Sequence, residues 1–445
     1  MNPAHGAKLS PLLAGFLLVG FSASPGSAQS ASASAARPYD LHYQFTAIAQ
    51  GHPSFKAPYD GPNSLQSRNE RATSVTSTLF LGVRLRKGSE LYVNPELAGG
   101  KAVSGALGMA GFANGEGSRV GDPTPEVSLA RMFLRQTFGL GGGSEQVEEG
   151  PNRLAGTQDA SRVVLTLGKF AITDIFDANR YSDDPRSQFL NWALMESGAW
   201  DYPADTRGYC WGAAGEYFAR PWAFRAGAVT EPKEANMKSM DTRLGRTHGL
   251  VAEGEYAFRV ADRKGAARLL LFFNEARMGS YRRALDVQGA VPDVRLTRDS
   301  NRTKYGFALS ADQELSEDWG AFLRAGWNDG RNESWAFTEI DRSLAFGAVR
   351  SAKSWGRPKD ELAFAGALNG LSADHREYLA AGGTGFIIGD GALLYGPEIV
   401  LEAYYKLQLT ELAALTPDYQ FAVNPAYNRD RGPVNLWALR FHVEF

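Results

Sequence analysis

The chain closes on Val434-Asn-Leu-Trp-Ala-Leu-Arg-Phe-His-Val-Glu-Phe445. Trp437, Leu439, Phe441, Val443 and Phe445 share one parity, and Arg440, His442 and Glu444 share the other. That is the two-residue period of a strand with one apolar and one polar face. A soluble sandwich produces the same alternation, but an aromatic residue at the very tip of such a strand looks like the closing strand of an outer-membrane barrel.

Upstream the pattern recurs. Leu79, Leu81, Val83 and Leu85 oppose Thr76, Thr78, Arg84 and Arg86, while Ile399, Leu401, Tyr405 and Leu407 oppose Glu398, Glu402, Lys406 and Gln408. In lipid every backbone polar group must pair within the protein, so alternating strands must close into a barrel. The alternation predicts about sixteen strands, near 41–48, 74–85, 89–97, 127–138, 161–170, 209–218, 223–229, 247–257, 267–275, 303–314, 319–327, 335–349, 361–369, 397–408, 414–424 and 434–445. Long connections at 49–73, 98–126, 171–208, 230–246, 276–302, 370–396 and 425–433 alternate with turns such as Arg86-Lys87-Gly88. Two segments break this rhythm: 139–160 is long where a turn belongs, and 328–334 is short where a loop belongs. An eighteen-strand barrel would hide its extra pair there.

Composition sets the bounds. With 47 Lys+Arg against 49 Asp+Glu and 44% hydrophobic residues, the chain is neither disordered nor basic enough to be a nucleic-acid binder. Cys210 stands alone, which excludes an internal disulfide and a zinc-finger site. Lys8, the apolar Leu12 to Phe21 and Gly26-Ser27-Ala28 read as a signal peptide over 1–28, followed by a flexible Ser/Ala leader over 29–38 and one barrel over 39–445. No later stretch is long enough and free enough of charge for a transmembrane helix.

Gly- and Pro-rich 49–73 and 98–126 read as loops, some of them folded into the lumen. In 171–208, Asp184-Pro185 predicts a short helix running to about Glu196. It would present Asn191 and Trp192 beside Trp200, Asp205 and Arg207, a set of rings and charged hydrogen-bonding groups suited to sugars. The alternative is that these aromatics pack the loop on the wall. The six histidines, His5, His42, His52, His248, His375 and His442, lack zinc-protease spacing, and neither a nucleophile elbow nor a phosphate loop is present. Gly141-Gly142-Gly143 lacks the dinucleotide-binding context. Glu253/Glu255 and Glu398/Glu402 read as lumen lining, so no catalytic residue, cofactor or metal site is expected.

Several stretches together resemble the carbohydrate-selective porins of the OprB family: Glu90-Leu-Tyr-Val-Asn-Pro-Glu96, the Gly-rich Ser104 to Glu116, Arg131-Met-Phe-Leu-Arg135, Leu167-Gly-Lys-Phe170, Asn179 to Arg186 running into Phe189-Leu-Asn-Trp192, Asp201 to Gly208, and Asn424 to Pro433. The resemblance implies a bacterial outer-membrane barrel, commonly of sixteen strands, that passes sugars by diffusion. Parity combined with the resemblance places Glu96, Arg131, Arg135, Gln420 and Asn424 on the path, and parity alone adds Arg324, Glu398, Glu402 and Arg440. A mixed-sign lining favours polar neutral solutes, although inward charges also serve as braces. A non-selective porin, or a barrel enzyme or adhesin, are the other readings. Expected partners are carbohydrates, outer-membrane lipid and lipopolysaccharide, and the barrel-assembly machinery acting on Phe445, with the barrel a monomer or a trimer.

Overall fold

Strand β18 (Val434–Glu444) shows why the alternation matters. Trp437, Leu439 and Phe441 are 59%, 46% and 37% exposed, whereas Arg440 between them is 0% exposed. An outer face of apolar side chains around an inner face holding buried charge is the inverse of a soluble protein, and it is what a lipid-embedded barrel requires. The computed structural model describes residues 37–117, 124–287, 289 and 291–445; the expected signal segment and nearly all of the leader lie outside them.

The preceding strands are β1 (Tyr39–His52), β2 (Glu70–Arg86), β3 (Ser89–Gly100), β4 (Glu126–Val147), β5 (Gly156–Phe170), β6 (Cys210–Ala219), β7 (Trp222–Val229), β8 (Glu231–Pro232), β9 (Met240–Asp241), β10 (His248–Val260), β11 (Arg263–Ala276), β12 (Arg302–Glu314), β13 (Trp319–Asn328), β14 (Arg342–Ser351), β15 (Glu361–Gly370), β16 (Glu398–Gln408) and β17 (Ala413–Val423). All but the small β8–β9 ribbon form one closed antiparallel barrel of sixteen strands. β1 closes it by pairing with both β2 and β18, in register Thr46↔Thr76 and Thr46↔His442. Long loops gather at one end and short turns at the other, the end where the barrel's first and last strands begin and finish. By the general architecture of such barrels the short-turn end faces the periplasm. No helix of the described residues is long and apolar enough to cross a membrane; the strands do so.

Both irregular segments resolve without extra strands. The 139–160 stretch is absorbed because β4 and β5 extend past their neighbours into a long hairpin, bulged around Gly141 and turning at 148–155. Elsewhere 335–341 is loop and not the start of a strand, so the expected strand 335–349 begins only at Arg342. The reason is local: the backbone N–H groups of Trp335, Ala336 and Phe337 all donate to the Asp201 carboxylate, at 2.7, 2.8 and 3.1 Å. That pulls the segment off the wall and into the lumen.

The helix expected from Asp184 to Glu196 is much shorter, with α1 covering only Trp192–Met195. Asp184 does cap a turn, its Oδ1 accepting from Arg186 N at 2.9 Å. The chain then straightens because Leu190 N and Asn191 N donate to the Glu402 carboxylate on β16, which removes them from any helical ladder. Asn191 becomes the cap instead, its Oδ1 accepting from Ala193 N at 2.9 Å. Two further short helices, α2 (Tyr281–Asp286) and α3 (Ala373–Ala380), lie in the long loops.

Inward-folded loops fill much of the lumen with an apolar core that includes Phe112, Phe189, Trp200, Trp335, Phe337 and Tyr427. The space left open lies along β1 to β4.

Candidate functional site

A β-bulge sets one wall of this space. Pro95 cannot donate to the ladder, and the β3–β4 register slips there, so that Asn94 faces Arg131 and Pro95 faces Leu129 with Ala130 left over. Glu96, two residues on from Asn94, shares the inner surface with Arg131. The cavity they line encloses ≈ 630 Å³ and is walled on its other side by loop 171–209.

Two guanidinium clusters cross it. Arg131 grips Asp174 of the loop in a bidentate pair, Nε to Oδ2 at 2.7 Å and Nη2 to Oδ1 at 2.6 Å, and lies 5.1 Å from the centre of the Tyr209 ring. Arg186, presented by the Asp184-Pro185 turn, reaches Glu116 Oε1 at 3.1 Å, Glu96 Oε2 at 3.0 Å, Gln44 Oε1 at 3.0 Å and Thr78 Oγ1 at 3.3 Å. A single side chain thus ties two loops to β1, β2 and β3. Glu96 also accepts from the Thr78 and Tyr209 hydroxyls, at 2.8 and 3.0 Å. Burial alone would lower the Arg186 pKa, but Glu116 and Glu96 hold it well above its ordinary value, so the charge is permanent.

The same lining carries carboxyls with few partners. Burial pushes Asp183 up to about 8; Arg324 opposes the shift, and Asp184, Asp177 and Asp174 reinforce it. Glu196 is raised well above its usual range by burial and by Asp183 and Asp177, with Arg324 no nearer than 4.0 Å.

Of the residues expected on the path, Glu96, Arg131 and Arg135 line the cavity, as do Trp192 and Arg207. Arg135 donates to Asn152 O at 2.8 Å. Trp192 stacks on Phe112 with centroids 3.9 Å apart and packs on Phe337 at 4.9 Å, which leaves it buried. The others sit elsewhere and hold loops. Arg324 donates to Leu194 O and Asp177 O, Arg440 to Pro185 O and Gln188 O, and Gln420 to Ala113 O. Glu398 accepts from Ala110 N and Ala426 N, and Asn424 donates to Pro397 O. Asn191 donates to Gln420 at 3.0 Å, Trp200 is fully buried, and Asp205 folds its own turn by accepting from Arg207 N and Tyr209 N. Sequence reasoning passed over Arg186, Glu116, Asp174, Asp183, Glu196 and Tyr209 as site residues, because loop residues carry no parity. The available signal was that Glu116, Asp183 and Arg186 lie within stretches resembling the OprB family.

The fold and the charged constriction define a channel. The family described as carbohydrate-selective porin, OprB family, matches residues 67–445, and the chain belongs to that family. It is therefore an outer-membrane porin for carbohydrates. Among solved structures it is similar to OprB of Pseudomonas putida at high pH, with TM-score 0.69 and 15% identity over 92% of this chain and 94% of that one. The low-pH structure of the same protein gives TM-score 0.50 and 13% identity over 92% and 93%. OccAB1 of Acinetobacter baumannii gives 0.48 and 9% over 92% and 96%. No curated protein matches the sequence.

Proposed function

We propose that saccharides diffuse through the cavity between the β1–β4 wall and loop 171–209, and that Arg186 and Arg131 with their carboxylate partners form the step that selects them. The observation that carries this reading is the placement of Arg186, whose guanidinium spans from the loop to three wall strands, β1, β2 and β3, beside the open volume. Fixed, paired charges offer hydrogen bonds to hydroxyls while presenting little net field, which suits neutral polar solutes better than ions. The protein acts as a conduit and makes or breaks no bond in the sugar. Residues 1–28 serve as its export signal, the apolar belt meets outer-membrane lipid and lipopolysaccharide, and Phe445 is the handle for the barrel-assembly machinery. Single-channel recording in planar bilayers tests the path: added monosaccharide should reduce the ionic current of the wild type in a saturable manner and that of Arg186→Ala much less. Equal block in both proteins would place the sugar path elsewhere.

A further inference from the structure

The β4–β5 hairpin turn, 148–155, is anchored by its second half over the short-turn mouth, while Glu148 and Glu149 stay exposed. Leu154 is buried and its N–H donates to the Tyr92 hydroxyl at 3.3 Å. Arg135 Nη1 reaches Asn152 O at 2.8 Å, and Arg84 Nη2 reaches Ala155 O at 3.0 Å. Pro151, Asn152 and Arg153 thereby become part of the cavity lining. These contacts all fix one flank of the turn, to β2, β3 and β4.

The other flank carries Glu149 toward β1. There Asp40 and His42, two residues apart on one strand, turn their side chains to the same inner face. One donor atom from each of Asp40, His42 and Glu149 lies within 4.8 Å of both others. His42 Nε2 is 2.7 Å from Asp40 Oδ2, yet this buried nitrogen makes no hydrogen bond of acceptable geometry. The two atoms stand at ion-pair distance with the ring nitrogen's hydrogen-bonding capacity unspent, so a small turn of either side chain makes room for a cation between them and Glu149.

We propose that Asp40, His42 and Glu149 bind one divalent transition-metal ion of the zinc type, which staples the β4–β5 turn across the short-turn mouth of the barrel. One imidazole and two carboxylates make a three-ligand set for zinc at ~2.0–2.2 Å, with a fourth position left for water. Calcium and magnesium favour all-oxygen sets of six or more ligands, which this corner does not supply. Sequence alone gives no metal signature because the ligands come from β1 and from a turn far along the chain. The ion would give the turn its second attachment and so fix the floor of the cavity. The proposal is independent of the sugar path.

The test is zinc titration by calorimetry of the full, detergent-solubilised barrel after chelator treatment, with heat-modifiable migration confirming that each protein is folded. The wild type should bind one ion saturably, Glu149→Gln and His42→Ala should weaken binding by at least about tenfold, and Glu148→Gln, next door in the same turn, should bind as the wild type does. Glu149 lies in an exposed turn, so its variant decides the matter even if His42→Ala fails to fold. Absence of saturable binding in the wild type, unchanged binding in Glu149→Gln, or an equal loss in Glu148→Gln would each overturn the proposal.

Discussion

Arg186 is the residue on which the constriction depends. Replacing it with Ala removes charge-assisted hydrogen bonds of about 1.5–3 kcal/mol each, so sugar affinity read from current block should fall at least about tenfold. The same change leaves Glu96 and Glu116 without their shared cation. Reversal potentials in a salt gradient should then move toward cation selectivity, and a shift toward anions would contradict the assignment. Asp183 gives the site a pH response. Held up to about 8 by burial, it is neutral at pH 7 and gains its charge as pH rises through about 8. Cation selectivity should therefore step upward across that range in the wild type and not in Asp183→Asn. The sign for stability is the reverse. The folded protein keeps this proton where an ordinary carboxyl of pKa 3.8 has lost it. The group therefore favours folding fully below about 3.8, and that contribution is lost as pH climbs through about 8. A step that persists in Asp183→Asn belongs to another group.

At the level of elements, barrel strands and inward loops answer to different parts of the sequence. Glu402 on β16 receives Leu190 N and Asn191 N, so Glu402→Ala should loosen loop 171–209 and raise single-channel conductance and noise while heat-modifiable migration persists. Leu439→Arg on the outer face should instead destabilise by about 2–4 kcal/mol if it sits near the bilayer midplane, read as a lower unfolding midpoint in denaturant. The strands were legible because the lumen and lipid impose a strict alternation that any sixteen-strand closure repeats, as in Trp437 to Phe445. Alternation fails as a guide where polar groups are satisfied from far away. Trp335 to Phe337 read as strand, yet Asp201 takes their N–H groups; Asp184 to Glu196 read as one helix, yet Glu402 interrupts it. The site divides the same way. Glu96, Arg131 and Arg135 could be found by parity combined with the family resemblance on β3 and β4, whereas Arg186, Asp174 and Asp183 sit in a loop whose course is set by contacts no local pattern records. Parity also could not separate Arg324, Glu402 and Arg440, which hold loops, from side chains that face the open cavity.

The molecule as a whole joins an apolar outer surface to a lumen narrowed by its own loops, which makes it a filter held in lipid. It should fractionate with the outer membrane and migrate faster in detergent gels before boiling than after, because closure leaves no strand edge from which unfolding can start. Removing Phe445, whose backbone pairs with Tyr43 at the closing seam, should reduce the folded, heat-modifiable fraction more than removal of an exposed loop residue. The central claim is that this filter passes neutral sugars through the Arg186 constriction, and liposome swelling over a graded set of mono- and disaccharides, alongside charged solutes of matching size, tests it most directly. The account predicts that wild-type channels admit the sugars faster than the size-matched ions and that Arg186→Ala erases this preference; entry rates that follow size alone, or a preference unchanged in Arg186→Ala, would contradict it.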